Sequence, residues 1–111
     1  MKKIAVLGSS GSIGQSTLAV VRMLPKQFKV LALSVNSDIV KLKQQIEEFH
    51  PPLVCVRDKE AAYRLRAQVG PLTKVLCGED GLNELVRDKE IQQIMFAISG
   101  SAALSPLISA I

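Results

Sequence analysis

The apolar run Ile4-Ala5-Val6-Leu7 leads straight into Gly8-Ser9-Ser10-Gly11-Ser12-Ile13-Gly14, and a helix-periodic segment follows. Strand, glycine loop and helix in that order, almost at the N-terminus, admit few folds. This is the layout of a phosphate cradle, a G-x-x-G-x-x-G variant of the fingerprint that opens dinucleotide-binding α/β folds. Gly8 lets the strand turn sharply, Gly11 leaves bare backbone for a pyrophosphate to approach, and Gly14 lets the helix pack closely. The N–H groups at the helix start, with the positive end of its dipole, attract the anion. A glycine in a first helical turn costs about 1 kcal/mol relative to alanine, a cost that close approach explains.

Ser12 and Gln15 have capping-box spacing, which predicts a helix beginning near Ile13. Ile13, Thr17, Val20, Val21 and Leu24 recur at helical spacing as its inward stripe, and Pro25 stops it. The plainer alternative is a Gly/Ser turn joining any strand to any helix.

Further along, Lys29–Val35 reads as a buried strand and Asn36-Ser37-Asp38 as a turn with an N-cap. Ile39, Leu42, Ile46 and Phe49 form a helical stripe that His50-Pro51-Pro52 ends. Leu53–Val56 is a third strand. Asp58 caps a helix with Ala61, Ala62, Leu65 and Val69 inward, closed by Gly70-Pro71. Lys74–Cys77 is a fourth strand, Gly78–Arg87 a helix with Leu82, Leu85 and Val86 inward, and Ile91–Ile98 carries a fifth strand. Gly100-Ser101 is a loop, and Ser105-Pro106 starts a last helix toward Ile111. Five strand–helix alternations with short connections predict an α/β fold, a Rossmann-like doubly wound parallel sheet of about five strands in one domain over residues 1–111. The expected order is 3-2-1-4-5, with the ligand crevice between strands one and four. A typical dinucleotide domain has a further strand, so the chain reads as a fragment of a longer protein.

Composition narrows the class. The 111 residues suffice for one domain, and the few aromatics suit an aliphatic core. The formal charge of +4 is modest and its lysines and arginines are scattered, which gives nucleic-acid binding little support. No apolar run reaches membrane-spanning length, and the stretch after Met1-Lys2-Lys3 is too short for a signal sequence. A cytoplasmic protein is expected. Cys55 and Cys77 lie in strand-like runs without C-x-x-C or metal-ligand neighbours, so both read as reduced thiols. Asp58, Glu60, Glu79 and Asp80 read as caps and solvated faces rather than metal ligands, and His50 as a helix-end residue rather than a general base.

The end of the second strand bears on the cofactor. NAD-preferring folds place a carboxylate about 20 residues beyond the glycines to hold the ribose hydroxyls. Here the segment reads Ser34-Val35-Asn36-Ser37, with no acid before Asp38. Asn36 and Ser37 can donate to a phosphate, and Arg57 and Lys41 can supply charge, which favours NADP(H). A charge-assisted bond contributes roughly 1.5–3 kcal/mol, enough for a ten- to hundredfold preference. Asp38 is counter-evidence unless it is occupied as a helix cap.

The run Ile4–Gly14, with Ser16-Thr17-Leu18 and Val20-Val21, resembles the amino terminus of the 1-deoxy-D-xylulose 5-phosphate reductoisomerase family. The likeness continues through Pro25, Phe28-Lys29-Val30, Ala32-Leu33, Glu48-Phe49-His50-Pro51, Ala97-Ile98-Ser99-Gly100, Leu104-Ser105-Pro106-Leu107 and Ala110-Ile111, and is weaker from Lys59 to Glu90. The resemblance implies an NADPH-dependent oxidoreductase of non-mevalonate isoprenoid synthesis. The family rearranges 1-deoxyxylulose 5-phosphate and reduces the product to 2-C-methyl-D-erythritol 4-phosphate, with Mg or Mn, as a homodimer. By position Ser10, Gly11, Ser12 and Ile13, flanked by Gly8 and Ser9, match the family's phosphate loop, and Asn36, Ser37 and Asp38 its adenosine 2′-phosphate end. Two departures stand out: Ser10 replaces a usual threonine, and Asn36-Ser37-Asp38 replaces Gly-Lys-Asn, removing a cation. The family's metal carboxylates, substrate contacts and lid belong to a later domain, so neither a catalytic nor a metal-binding residue is assigned, and the chain alone is expected to be inactive. Two alternatives are the cofactor domain of another NADP-dependent oxidoreductase, such as an aspartate-semialdehyde dehydrogenase, and a non-catalytic nucleotide-binding module.

Overall fold

A computed structural model of the chain describes residues 1–97. The first strand, β1 (Lys2–Leu7), feeds helix α1 (Ser12–Met23). Then come β2 (Phe28–Val35), α2 (Ile39–Phe49), β3 (Leu53–Val56), α3 (Lys59–Arg66), β4 (Lys74–Cys77), α4 (Gly78–Val86) and β5 (Gln93–Phe96). The five strands are parallel and form one sheet. The last expected helix, Leu104–Ile111, and the loop before it lie outside the described residues.

The sheet order is β4-β3-β2-β1-β5, which corrects the expected 3-2-1-4-5. The fourth strand does not return to β1 but adds outside β3, and the fifth makes the return. Local bonds fasten it there. The Lys74 amide donates to the Pro52 carbonyl at 2.9 Å. The Arg66 guanidinium donates twice to the Val75 carbonyl, at 3.1 and 2.8 Å. The reversal therefore still borders β1, now against β5.

Right-handed crossovers then dictate the layers. Three steps in one direction put α1, α2 and α3 on one face, where Leu18, Val21, Leu42, Ile46 and Leu65 pack on Ile4, Val6, Leu33, Val54 and Val75. The return step puts α4 on the other face, with Leu82, Leu85 and Val86 against Ala5, Leu7, Ala32, Cys55 and Leu76. Strands covered on both sides need apolar residues at consecutive positions, which is why Ile4–Leu7 is continuous and wholly buried. Between β1 and β2 the register slips, pairing Ile4 with Val30 and Ala5 with Ala32, so Leu31 is an extra residue on β2.

Helix boundaries follow side-chain chemistry. The Asp38 carboxylate accepts from the Lys41 amide and starts α2, and Asp58 accepts from Ala61 and starts α3, both as expected. His50 ends α2 in the left-handed region at φ 50°, its amide donating to Ile46. The expected inward stripe of α1 is corrected. Gly14, Leu18 and Val21 are buried, while Ile13 and Val20 are more than half exposed. Ser12 and Gln15 do not form a capping box either: Gly11 is the N-cap and makes no side-chain cap bond. The side-chain amide of Gln15 instead donates to the Ser10 carbonyl at 2.8 Å.

Candidate functional site: an acid-free helix start beside a glycine loop

At the carboxyl end of β1 the chain turns at Gly8, whose φ of 79° is unfavourable for any side chain. The turn is pinned to β2, because the amides of Gly8 and Ser9 both donate to the Ser34 carbonyl at 2.9 Å. The Gly11 amide then donates back to the Gly8 carbonyl at 3.3 Å. Gly14 closes the arrangement. A Cβ placed there would stand 2.2 Å from the Gly8 oxygen and 2.7 Å from the Ser9 Cα, so the first turn of α1 rests on the loop backbone itself. Close packing was the expected task of Gly14, but its partner is the loop rather than the sheet. At Gly11 a Cβ would make only an ordinary 3.7 Å contact, and that residue faces solvent.

The start of α1 beside this loop carries open backbone donors. Among the described residues the amides of Ser12, Ile13 and Gly14 have no acceptor outside their helix, as expected for a first turn without a side-chain cap. The first turn of α1 also contains no acidic residue. The other three helices each start with a carboxylate: Asp38 at α2, Asp58 and Glu60 at α3, Glu79 and Asp80 at α4. Among the described helices three positive ends are thus neutralised internally, and the one beside the glycine loop is not.

Of the expected phosphate-loop residues, Ser10, Gly11, Ser12 and Ile13 lie at this helix start, with Ser10 partly and the other three well exposed; Ser12 and Ile13 also line an open concavity with Ser16, Thr17 and Val20. Ser9 has another role: it is fully buried, so its side chain faces the interior. Its carbonyl accepts from Gln45 Nε2 at 2.8 Å, a bond that reaches in from α2. Ser9 Oγ and Gln45 Oε1 are both buried without a protein partner. Sequence reasoning missed Gln45. The available signal was a polar residue between Leu42 and Ile46 on the inward stripe of α2.

The second expected cluster sits at the ends of β2 and β3. Asn36, Ser37, Arg57, Asp58 and Glu79 line an open cleft of about 720 Å³. Asp38 is not among them, since its carboxylate is held by the Lys41 amide at 3.1 Å. Of the two cations proposed for this end, Arg57 lies in the cleft, whereas Lys41 lines the groove between α1 and α2 with Gln15 and Arg22. In that groove Arg22 pairs with Glu48, whose carboxyl it holds below the usual range by hydrogen bonding, and the guanidinium lies 5.6 Å from the Phe49 ring centre. Another concavity, about 880 Å³, opens near Pro52 and Lys74 at the opposite ends of the strands, away from the loop. No three His, Cys, Asp or Glu side chains gather as a metal site among the described residues, and no described helix is long and apolar enough to cross a membrane.

The comparisons with known proteins match this geometry. The sequence model of 1-deoxy-D-xylulose 5-phosphate reductoisomerase matches residues 4–111. The enzyme of that name from Thermodesulfovibrio yellowstonii is 44% identical over 111 residues, all of this chain and 29% of that protein. Its counterpart from Caldanaerobacter subterraneus is 41% identical over the same shares. The chain thus spans less than a third of the length of these relatives. Among solved structures, DOX-P reductoisomerase in complex with NADPH, fosmidomycin and magnesium superposes with a TM-score of 0.92 at 35% identity, over 99% of this chain and 28% of that one. The Zymomonas mobilis reductoisomerase in complex with NADPH gives 0.88 at 27% identity, over 98% and 29%. An aspartate-semialdehyde dehydrogenase origin is thereby set aside. A glycine loop seated on its own helix, an acid-free helix start and a sequence match from Ile4 to the last residue have one common explanation: this chain belongs to the 1-deoxy-D-xylulose 5-phosphate reductoisomerase family.

Proposed function

We propose that the chain is the NADPH-binding part, residues 1–111, of an enzyme that rearranges and reduces 1-deoxyxylulose 5-phosphate to 2-C-methyl-D-erythritol 4-phosphate. The observation that carries this reading is the helix start of α1, which alone among the four described helices has a carboxylate neither at its N-cap nor in its first turn. Backbone amides of Ser10, Gly11, Ser12 and Ile13 hold the pyrophosphate, with Gly8 and Ser9 shaping the loop. Asn36 and Ser37 take the adenosine end, and Asp38 acts there through the turn it caps. When bound, the nicotinamide supplies a hydride; the residues of this chain bind and orient its carrier.

The divalent metal, Mg or Mn, and the sugar-phosphate contacts fall to the rest of the protein, as this chain spans less than a third of the length of its relatives. The whole enzyme works in the cytoplasm as a homodimer, with neither nucleic acid nor membrane as a partner, and this chain alone gives no turnover. Calorimetric titration of the 111-residue chain tests the reading. Saturable binding of NADPH at one site, stronger than that of NADH, is expected; absence of heat with both nucleotides overturns it.

A further inference from the structure

We propose that Arg57 supplies the cation for the ribose 2′-phosphate, and that Glu79 competes with that phosphate for the Arg57 guanidinium. The proposal rests on the dinucleotide reading above. It starts from the ladder between β2 and β3, which continues past the strand ends. The Arg57 amide donates to the Val35 carbonyl at 3.1 Å, and the Asp58 amide to the Asn36 carbonyl at 2.8 Å. Arg57 is therefore locked beside the Asn36-Ser37 turn by backbone bonds. Its side chain crosses the cleft to Glu79, where Nη2 stands 2.6 Å from Oε2.

Glu79 reaches that position because Gly78, at φ 73°, turns the chain from β4 directly into α4. The other acids near the cleft are already engaged. Asp58 accepts from the Ala61 amide and Asp38 from the Lys41 amide. Lys59 adds positive charge at the rim, its Cε 3.5 Å from where a Cβ on Gly78 would stand. Arg57 is the cation among the residues lining the cleft, and Glu79 is the carboxylate that holds it.

The pair is a weak holder. The Arg57 side chain is 34% exposed and that of Glu79 70%, so water screens their attraction. A phosphate monoester carries more charge and accepts two parallel bonds from the planar guanidinium. A nucleotide with a 2′-phosphate exchanges one partner of Arg57 for a better one, whereas a nucleotide with a free 2′-hydroxyl leaves the ion pair in place. The segment Asn36-Ser37-Asp38 carries no cation of its own, so discrimination between the nucleotides rests on the neighbouring strand.

The test is fluorescence titration of the chain with NADPH and with NADH at one ionic strength. Arg57→Gln is expected to weaken NADPH about tenfold or more and NADH no more than about twofold, since a charge-assisted bond to the 2′-phosphate is lost. Glu79→Gln is expected to tighten NADPH about three- to tenfold and to leave NADH unchanged, since an exposed competitor is removed. Arg57→Lys keeps the charge without the planar fork and should fall between Arg57→Gln and the parent chain. Equal weakening of both nucleotides by Arg57→Gln, or weakening of neither, overturns the Arg57 assignment alone. Weaker NADPH binding in Glu79→Gln overturns the competition. If the parent chain binds neither nucleotide, the dinucleotide reading falls together with this one.

Discussion

Two strand-to-helix junctions in this molecule are built alike and end in opposite chemistry. At the close of β1 and again at the close of β4, a glycine with φ near +75° turns the chain into a helix. At α4 the helix begins at once, its first turn carries Glu79 and Asp80, and Cys55 lies beneath it with Sγ 3.6 Å from the Gly78 carbonyl. That end is neutralised by the chain itself. At α1 three further residues separate the glycine from the helix, the first turn carries no acid, and its amides have no acceptor outside the helix among the described residues. The difference shows that a positive-φ glycine before a helix does not by itself make an anion site. The helix end stays open at α1 because the chain places no carboxylate there.

The most severe way to break the contrast is at the inner glycines. Gly14→Ala would push a methyl carbon to 2.2 Å from the Gly8 oxygen and 2.7 Å from the Ser9 Cα, whereas Gly81→Ala meets Leu76 Cβ at 3.0 Å, the Leu76 backbone carbon at 3.2 Å and Cys55 Sγ at 3.3 Å. Gly14→Ala is expected to lose about 1–3 kcal/mol of stability together with nucleotide binding. Gly81→Ala should lose less, because its tightest contact is 3.0 Å rather than 2.2 Å. Urea unfolding of the two variants checks this, and equal losses would remove the distinction.

A second substitution copies α4 onto α1. Ile13 is the second helical residue, as Glu79 is in α4, and it is well exposed. Ile13→Glu should stabilise the fold by about 0.3–1 kcal/mol through the helix dipole. The same change should weaken NADPH binding about tenfold, because a fixed carboxylate now occupies the position of the anion. Stability and affinity moving in opposite directions is the signature; a variant that binds NADPH as well as the parent chain contradicts an open helix end.

The smallest effect concerns the closed junction. Burial pushes the Cys55 thiol up from 9.0 to about 12. The folded state therefore keeps its proton while the unfolded chain loses it, so this contribution is complete below pH 9 and is lost progressively between pH 9 and about 12. The loss should reach about 1 kcal/mol by pH 9.5. Urea midpoints at pH 8 and 9.5, compared with those of Cys55→Ala, isolate it; an identical decline in both proteins excludes Cys55 as the source.

The elements themselves were largely legible in the sequence. β3 and β4 match their expected bounds, and Asp38, Asp58 and His50 take their expected positions at helix ends. Periodicity is local, and so are caps. Which strand β4 joins depends on its pairing with β3, including the Lys74 amide on the Pro52 carbonyl, and a strand pairing is not marked by periodicity or caps. The face of α1 was misread because apolar residues lie on two sides of that helix. Gly14, Leu18 and Val21, spaced i, i+4, i+7, were the better stripe, since a glycine required for close approach must face inward. The slip at Leu31 was hidden inside a continuous apolar run, where no alternation marks the extra residue. The cleft residues Asn36, Ser37 and Arg57 were named from their places at strand ends, but the partnership of Arg57 with Glu79 required the fold.

The bond from Gln45 to the Ser9 carbonyl makes the fingerprint a shared possession of two helices. Seven residues transplanted to another strand and helix would bring the glycines but not the amide that steadies the bend from 36 positions further along the chain. A buried carbonyl would then lack its donor, and the bend would have no reason to keep its shape. A change at Gln45, a residue outside the proposed nucleotide contacts, would thereby alter the loop proposed to grip the nucleotide.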